Sequence, residues 1–177
     1  MTAGVQARVL IVARDDAVAG PLAEGLDRLG WRTVTARGPY AAVAALADLG
    51  VEAAIVDLAS GGHEALTMAQ RLKAACAPRR LPVIAIGDPG PELDSCDFDL
   101  TLAAPVHPAQ MVMRLETLVR TAVAEEEFEL RLETFADRGR RLDALEPNSA
   151  PFHVLAIGEP APQFLALSNA LARSGAE

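Results

Sequence analysis

Short apolar runs and spaced apolar stripes alternate along the first part of the chain. Arg8–Ala13 strings Val9, Leu10, Ile11 and Val12 together. Val51–Gly62 strings Ala53, Ala54, Ile55 and Val56 before a single carboxylate, Asp57, and a glycine-containing loop. Pro82–Ile86 is a further run of this kind, and Phe98–Ala103 (F-D-L-T-L-A) predicts a fifth strand. Runs of this length bounded by turn-forming residues predict strands buried on both faces. Trp31–Ala36 alternates instead, which predicts a strand nearer an edge.

The intervening stretches repeat at helical spacing. Val18, Leu22, Leu26 and Leu29 predict one helix face, with Asp15 or Asp16 as its cap and Gly30 as its stop. Pro21 lies near the first turn, where its missing N–H costs least. Pro39–Leu49 predicts an Ala-rich helix closed by Gly50, and His63–Ala77 predicts another. Strands alternating with helices imply an α/β fold, a doubly wound five-stranded parallel sheet with helices on both faces, within residues 1–121. Gly87–Pro91 begins a loop with room for only about a turn of helix before the last strand. Ala104-Pro105 predicts a turn, at an X-Pro bond that tolerates the cis form.

From His107 the pattern turns helical and does not stop. Met111, Leu115, Leu118 and Ala122, then Phe128, Leu132, Phe135, Leu142 and Leu145, recur at three-, four- and seven-residue steps until Pro147. A continuous helix to residue 145 would be about 58 Å long. Its far half then needs a partner surface, in another copy or another domain. The alternative is a break at Glu125–Glu127 or at Gly139, with a solvated linker over the rest of 122–150.

The start of the chain then recurs. Residues 8–32 and 153–177 align without a gap, so that Val9, Leu10, Leu22, Leu26, Arg28 and Gly30 meet Val154, Leu155, Leu167, Leu171, Arg173 and Gly175. The identities fall on the strand, the helix face and the helix stop, so 151–177 is expected to hold the first strand and helix of a second, truncated copy.

Composition narrows the function. Of the 177 residues 51% are hydrophobic and only 4% aromatic, so Ala, Leu and Val build the core. A net charge of −8 argues against nucleic acid or an anionic membrane as partner. Cys76 and Cys96 form no disulfide or zinc pattern, and the N-terminus lacks a signal peptide's apolar core. A cytoplasmic chain is expected.

The Val9–Val12 run, the strand ending on Asp57, Pro82-Val83-Ile84 and Ala104-Pro105 resemble the response-regulator receiver family, the CheY-like (βα)5 flavodoxin-like fold. The resemblance spans about residues 8–121 and returns over 153–177. It implies a phosphoryl group accepted on the aspartate ending the third strand, here Asp57. It also implies two acids after strand one to hold Mg²⁺, a hydroxyl ending strand four, a lysine before the strand-five proline, and an aromatic switch on that strand. A carboxylate needs such help because a metal and cations must neutralise the transferring group.

Here the acidic-pair positions are Ala13 and Arg14, the hydroxyl position is Gly87, the lysine position Ala104 and the aromatic position Thr101. Sliding the register to make Asp15 and Asp16 the pair puts Gly20 in place of Val18 on the buried face, so the ungapped register is preferred. Asp57 alone remains, as phospho-acceptor candidate. The resemblance therefore implies a degenerate pseudo-receiver, non-catalytic, with no metal site and no cofactor. Arg14 either supplies a fixed cation to Asp57 as an ion pair, or points to solvent while Asp57 caps the next helix. Three histidines are ascribed to surface or element ends: His63 in the loop beyond Asp57, His107 and His153. Trp31 and Tyr40 are ascribed to packing.

A tandem-receiver start is similar to the N-terminal region of cyclic-di-GMP regulators of the PleD/PopA type, which end in a GGDEF domain. That implies a bacterial cell-cycle signalling protein and, by family analogy only, recruitment to a cell pole. Its partners are expected to be proteins: an adaptor, a kinase, its own second receiver or GGDEF domain, or a second copy through the long helix. The alternative is a receiver phosphorylated on Asp57 by a histidine kinase. A small enzyme on a Rossmann-like sheet is disfavoured by the missing Gly-x-Gly-x-x-Gly and by the lack of a nucleophile–base pair.

Overall fold

The computed structural model describes residues 7–88, 98–139 and 169 of the chain. The chain divides into two compact units, Met1–Thr134 and Phe135–Glu177. The first carries the sheet. Of the second, only 135–139 and Asn169 are described, so the expected repeat over 153–177 lies outside the described residues.

Five strands, β1 (Arg8–Val12), β2 (Arg32–Ala36), β3 (Ala53–Asp57), β4 (Val83–Ile86) and β5 (Leu100–Leu102), form an all-parallel sheet in the order β2-β1-β3-β4-β5. The helices are α1 (Asp16–Arg28), α2 (Pro39–Leu49), α3 (Gly62–Cys76) and α4 (Pro108–Asp137), with a 3-10 turn at Leu58–Ser60. The expected α/β architecture is the observed one. The segment expected to be short, between β4 and β5, lies largely outside the described residues.

Strand pleating sorts the apolar runs into two layers. Leu10, Val12, Ala54, Val56, Val83 and Ala85 pack with Ala42, Leu46, Ala69 and Leu72 of α2 and α3. Val9, Ile11, Ala53, Ile55, Ile84 and Ile86 pack with Leu22, Leu26, Met111 and Leu115 of α1 and α4. β2 and β5 are the edges, as alternation predicts for β2. Trp31 packs in the second layer, whereas Tyr40 is 88% exposed and does not pack as expected.

The buried face of α1 departs from the expected stripe. Ala19, Leu22 and Leu26 face the sheet, while Val18 and Leu29 are exposed. The i, i+3, i+7 series starting at Ala19 centres on the sheet, and Val18 falls to its side. Asp15 caps α1, its Oδ1 accepting from the Ala17 N–H at 2.8 Å. Gly25 brings α1 against the start of α4: a Cβ there would stand 2.3 Å from Pro108 Cγ.

Met111, Leu115 and Ala122 are the buried residues of α4, with Leu118 half-buried beside them. The helix runs unbroken through Glu125–Glu127 and ends at Asp137, short of the expected 145; Gly139 follows in the left-handed conformation, φ 65°. Arg80, in the α3–β4 loop, ties the helix down beyond its buried stripe. Its guanidinium donates to Glu125 at 2.7 Å and to Glu129, and its backbone N–H donates to Glu126. The hydrogen bond and charge of Glu129 do most to raise the Arg80 pKa, desolvation opposes them, and the charge and hydrogen bond of Glu125 raise it by smaller amounts. Alongside and past this clamp Phe128, Leu130 and Leu132 are exposed.

Candidate functional site

Asp57 is the last residue of the central strand β3, paired in register with Ile86 of β4, and is only 9% exposed. It is the buried charged residue among those described. Its Oδ1 accepts from the Ala59 N–H at 3.1 Å, which caps the 3-10 turn at Leu58–Ser60. An aspartate at the carboxyl end of a strand is held this way because the turn leaves that N–H without a backbone partner.

Arg14 does not pair with Asp57. Its guanidinium donates to Glu64 Oε2 at 2.5 Å, across from the first turn of α3. Both partners are well exposed, and Glu64 reaches the guanidinium in water, where Asp57 is sunk at the strand end behind its own cap. The ion-pair expectation is corrected on this point.

The other positions are equally specific. Ala13 is buried against the α1/α4 layer and carries no oxygen. Asp15 is held by its cap, and Asp16 binds Arg37, whose Nε lies 3.2 Å from Asp16 Oδ1. Gly87 has φ 131°, a conformation side chains rarely adopt, and donates its N–H to Leu102 O at 2.9 Å. Thr101 is half-buried on β5, and Ala104 is exposed at a cis Ala104-Pro105 bond.

The donor set does not fit Mg²⁺. A hard cation wants several oxygens around it, and the positions facing Asp57 from β1 are an alanine and an arginine spent on Glu64. Among the described residues no group of three His, Cys, Asp or Glu side chains gathers.

Beside Asp57 the structure opens a cavity of about 310 Å³ over the carboxyl ends of β1 and β3. Val12 and Val56 form its floor, Met68 and Pro39 its walls, and Arg14, Arg37 and Arg71 its rim. His63 belongs to the first turn of α3 rather than a loop and also lines it. Sequence reading passed over Arg37, Glu64 and Arg71. The signal was available in part: Glu64, Met68 and Arg71 fall at four- and three-residue steps on one face of α3.

No protein-family model matches the sequence, and no curated protein does. Solved structures do. A CheY-like receiver domain from Methylobacillus flagellatus is 24% identical, with a TM-score of 0.56 over 63% of this chain and 97% of that one. The signal receiver domain of a modulated diguanylate cyclase from Desulfovibrio desulfuricans G20 is 26% identical, with a TM-score of 0.55 over 67% and 97%. The signal receiver domain of an HD domain-containing protein from Pseudomonas fluorescens Pf-5 is 19% identical, with a TM-score of 0.60 over 72% and 96%. Together with the strand order, these likenesses define the class: the described residues of the first unit have the CheY-like response-regulator receiver fold. No helix among the described residues is long and apolar enough to cross a membrane.

Proposed function

We propose that this chain is a pseudo-receiver, a non-catalytic protein-interaction module on the response-regulator fold. One observation carries the reading: Asp57 is left without assisting groups. The β1 positions beside it hold Ala13 and Arg14, and Arg14 is turned to Glu64. Gly87, Thr101 and Ala104 supply neither the small hydroxyl ending β4, nor the lysine, nor the aromatic switch. Phosphoryl transfer to a carboxylate depends on charge neutralisation at the transferring group, and of the nearby cations Arg14 is engaged by Glu64 and Arg37 by Asp16.

In this reading the module works without Mg²⁺ in the cytoplasm of a bacterium, within a two-component or cyclic-di-GMP signalling protein of the tandem-receiver type. The likeness to a receiver from a modulated diguanylate cyclase supports that setting. Its partners are proteins, among them a second copy: Phe128 and Leu132, one helical turn apart on α4, are exposed alongside and past the Arg80 clamp and suit a helix–helix contact.

Incubation with acetyl phosphate and Mg²⁺, followed by mass spectrometry, tests the reading. No aspartyl-phosphate is expected. Stoichiometric label on Asp57 that disappears in Asp57→Asn would instead establish a working phospho-acceptor.

A further inference from the structure

The rim and floor of the cavity beside Asp57 combine two chemistries. Arg14 comes from the β1–α1 loop, Arg37 from the β2–α2 loop and Arg71 from α3, so three separate elements bring guanidinium groups to one opening. In a chain of net charge −8 with only 16 Lys and Arg, that convergence is not a reflection of composition. The floor and walls are apolar: Val12, Val56, Pro39 and Met68.

Each charged group on the lining has a defined state. Glu64 is spent on Arg14, and Asp57 on the Ala59 N–H. Arg37 is held by Asp16 from outside the lining. Arg71 has no hydrogen-bond or ion-pair partner among the described residues. Exposed ion pairs such as Arg14–Glu64 and Arg37–Asp16 are weak and readily shared with an incoming anion. Neither α2 nor α3 has a side-chain cap at its N-terminus, and Pro39 and His63 of their first turns line the same cavity. Their first N–H groups add partial positive charge. The cavity also lies between β1 and β3, where the winding of the sheet reverses and α/β folds of this strand order take ligands.

We infer that this cavity binds a small organic phosphate, its phosphoryl group held by Arg71 and Arg37 and its apolar body laid on Val12, Val56 and Met68. Binding is non-covalent and does not use Asp57 as an acceptor. This goes beyond the pseudo-receiver reading and stands apart from it, because labelling of Asp57 is read by acetyl phosphate and occupancy of the cavity by titration.

Calorimetric titration of the full chain with AMP and with phenyl phosphate tests the inference, with adenosine and inorganic phosphate as arms lacking one half of the ligand. At least one organic phosphate is expected to bind more tightly than either half alone. Arg71→Ala should weaken it roughly tenfold, the loss of one charged hydrogen bond. Arg28→Ala, on the exposed face of α1 and outside the cavity, should leave it unchanged. Asp57→Asn should retain binding, whatever the outcome with acetyl phosphate. Failure of both organic phosphates to saturate by about 10 mM, beyond the range of specific affinities, overturns the inference. So does equal binding by wild type and a folded Arg71→Ala protein.

Discussion

Gly87 and Leu58 face each other at the carboxyl end of the sheet: a Cβ at position 87 would lie 3.0 Å from the Leu58 Cβ, with φ held at 131°. The missing hydroxyl of strand four is therefore built into the backbone as well as the sequence. Gly87→Thr should destabilise the fold by about 1–3 kcal/mol through left-handed strain and crowding. Urea midpoints give the value, and Leu58→Gly in the same chain, which removes the Cβ in contact, should relieve only the crowding part. An unchanged midpoint in Gly87→Thr would show that the loop relaxes freely.

Two glycines of α1 should respond to alanine in opposite directions. Gly20 has open space around it, so Gly20→Ala should gain up to about 1 kcal/mol of helix propensity. At Gly25 the new methyl would meet Pro108 at 2.3 Å, and crowding against α4 should cost about 1–3 kcal/mol. Thermal melts of both variants at one pH check the sign of each. Equal stabilisation by the two would mean that α1 and α4 are not in close contact.

Arg80 holds Glu125 and Glu129 to the α3–β4 loop on the exposed side of α4. Arg80→Ala should leave the global unfolding midpoint nearly unchanged, since exposed pairs contribute little. Amide exchange should quicken locally, from Glu125 through Thr134, because that part of the helix has no buried residue to replace the clamp. Exchange as slow as in wild type would assign the helix's order to intrinsic propensity alone.

Phe128 and Leu132 should set the association state. Sedimentation equilibrium is expected to find a dimer in the wild type and a monomer in Phe128→Ser/Leu132→Ser, with unchanged circular dichroism. A monomeric wild type, or a dimer indifferent to the double substitution, removes α4 as the contact.

Much of the fold was legible because its apolar code is simple. Short apolar runs and the alternating Trp31–Ala36 and Phe98–Ala103 segments, bounded by turn residues and separated by stretches of helical spacing, gave the five-stranded sheet, and alternation marked β2 as an edge. The buried face of α1 keeps the expected Leu22 and Leu26 but takes Ala19 in place of Val18, because the small alanine carries little apolar signal beside the larger valine. The site was legible only where it is local. Asp57 at the end of β3 follows from the run before it. The partner of Arg14 does not: Glu64 lies 50 residues away, and only the packing of α3 on β3 decides between two carboxylates. Arg37 and Arg71 were invisible for the same reason, lying on two chain segments distant in sequence.

α3 begins with residues that line the cavity beside Asp57 and runs, through Cys76, into the loop whose Arg80 grips α4. A fifteen-residue helix is stiff along its axis. A tilt of its first turns, however small, would be delivered to the grip on Glu125 and Glu129 as a displacement, much as a rocker transmits motion across its pivot. Whatever chemistry Asp57 has, the chain would then possess a mechanical route from the cavity to α4.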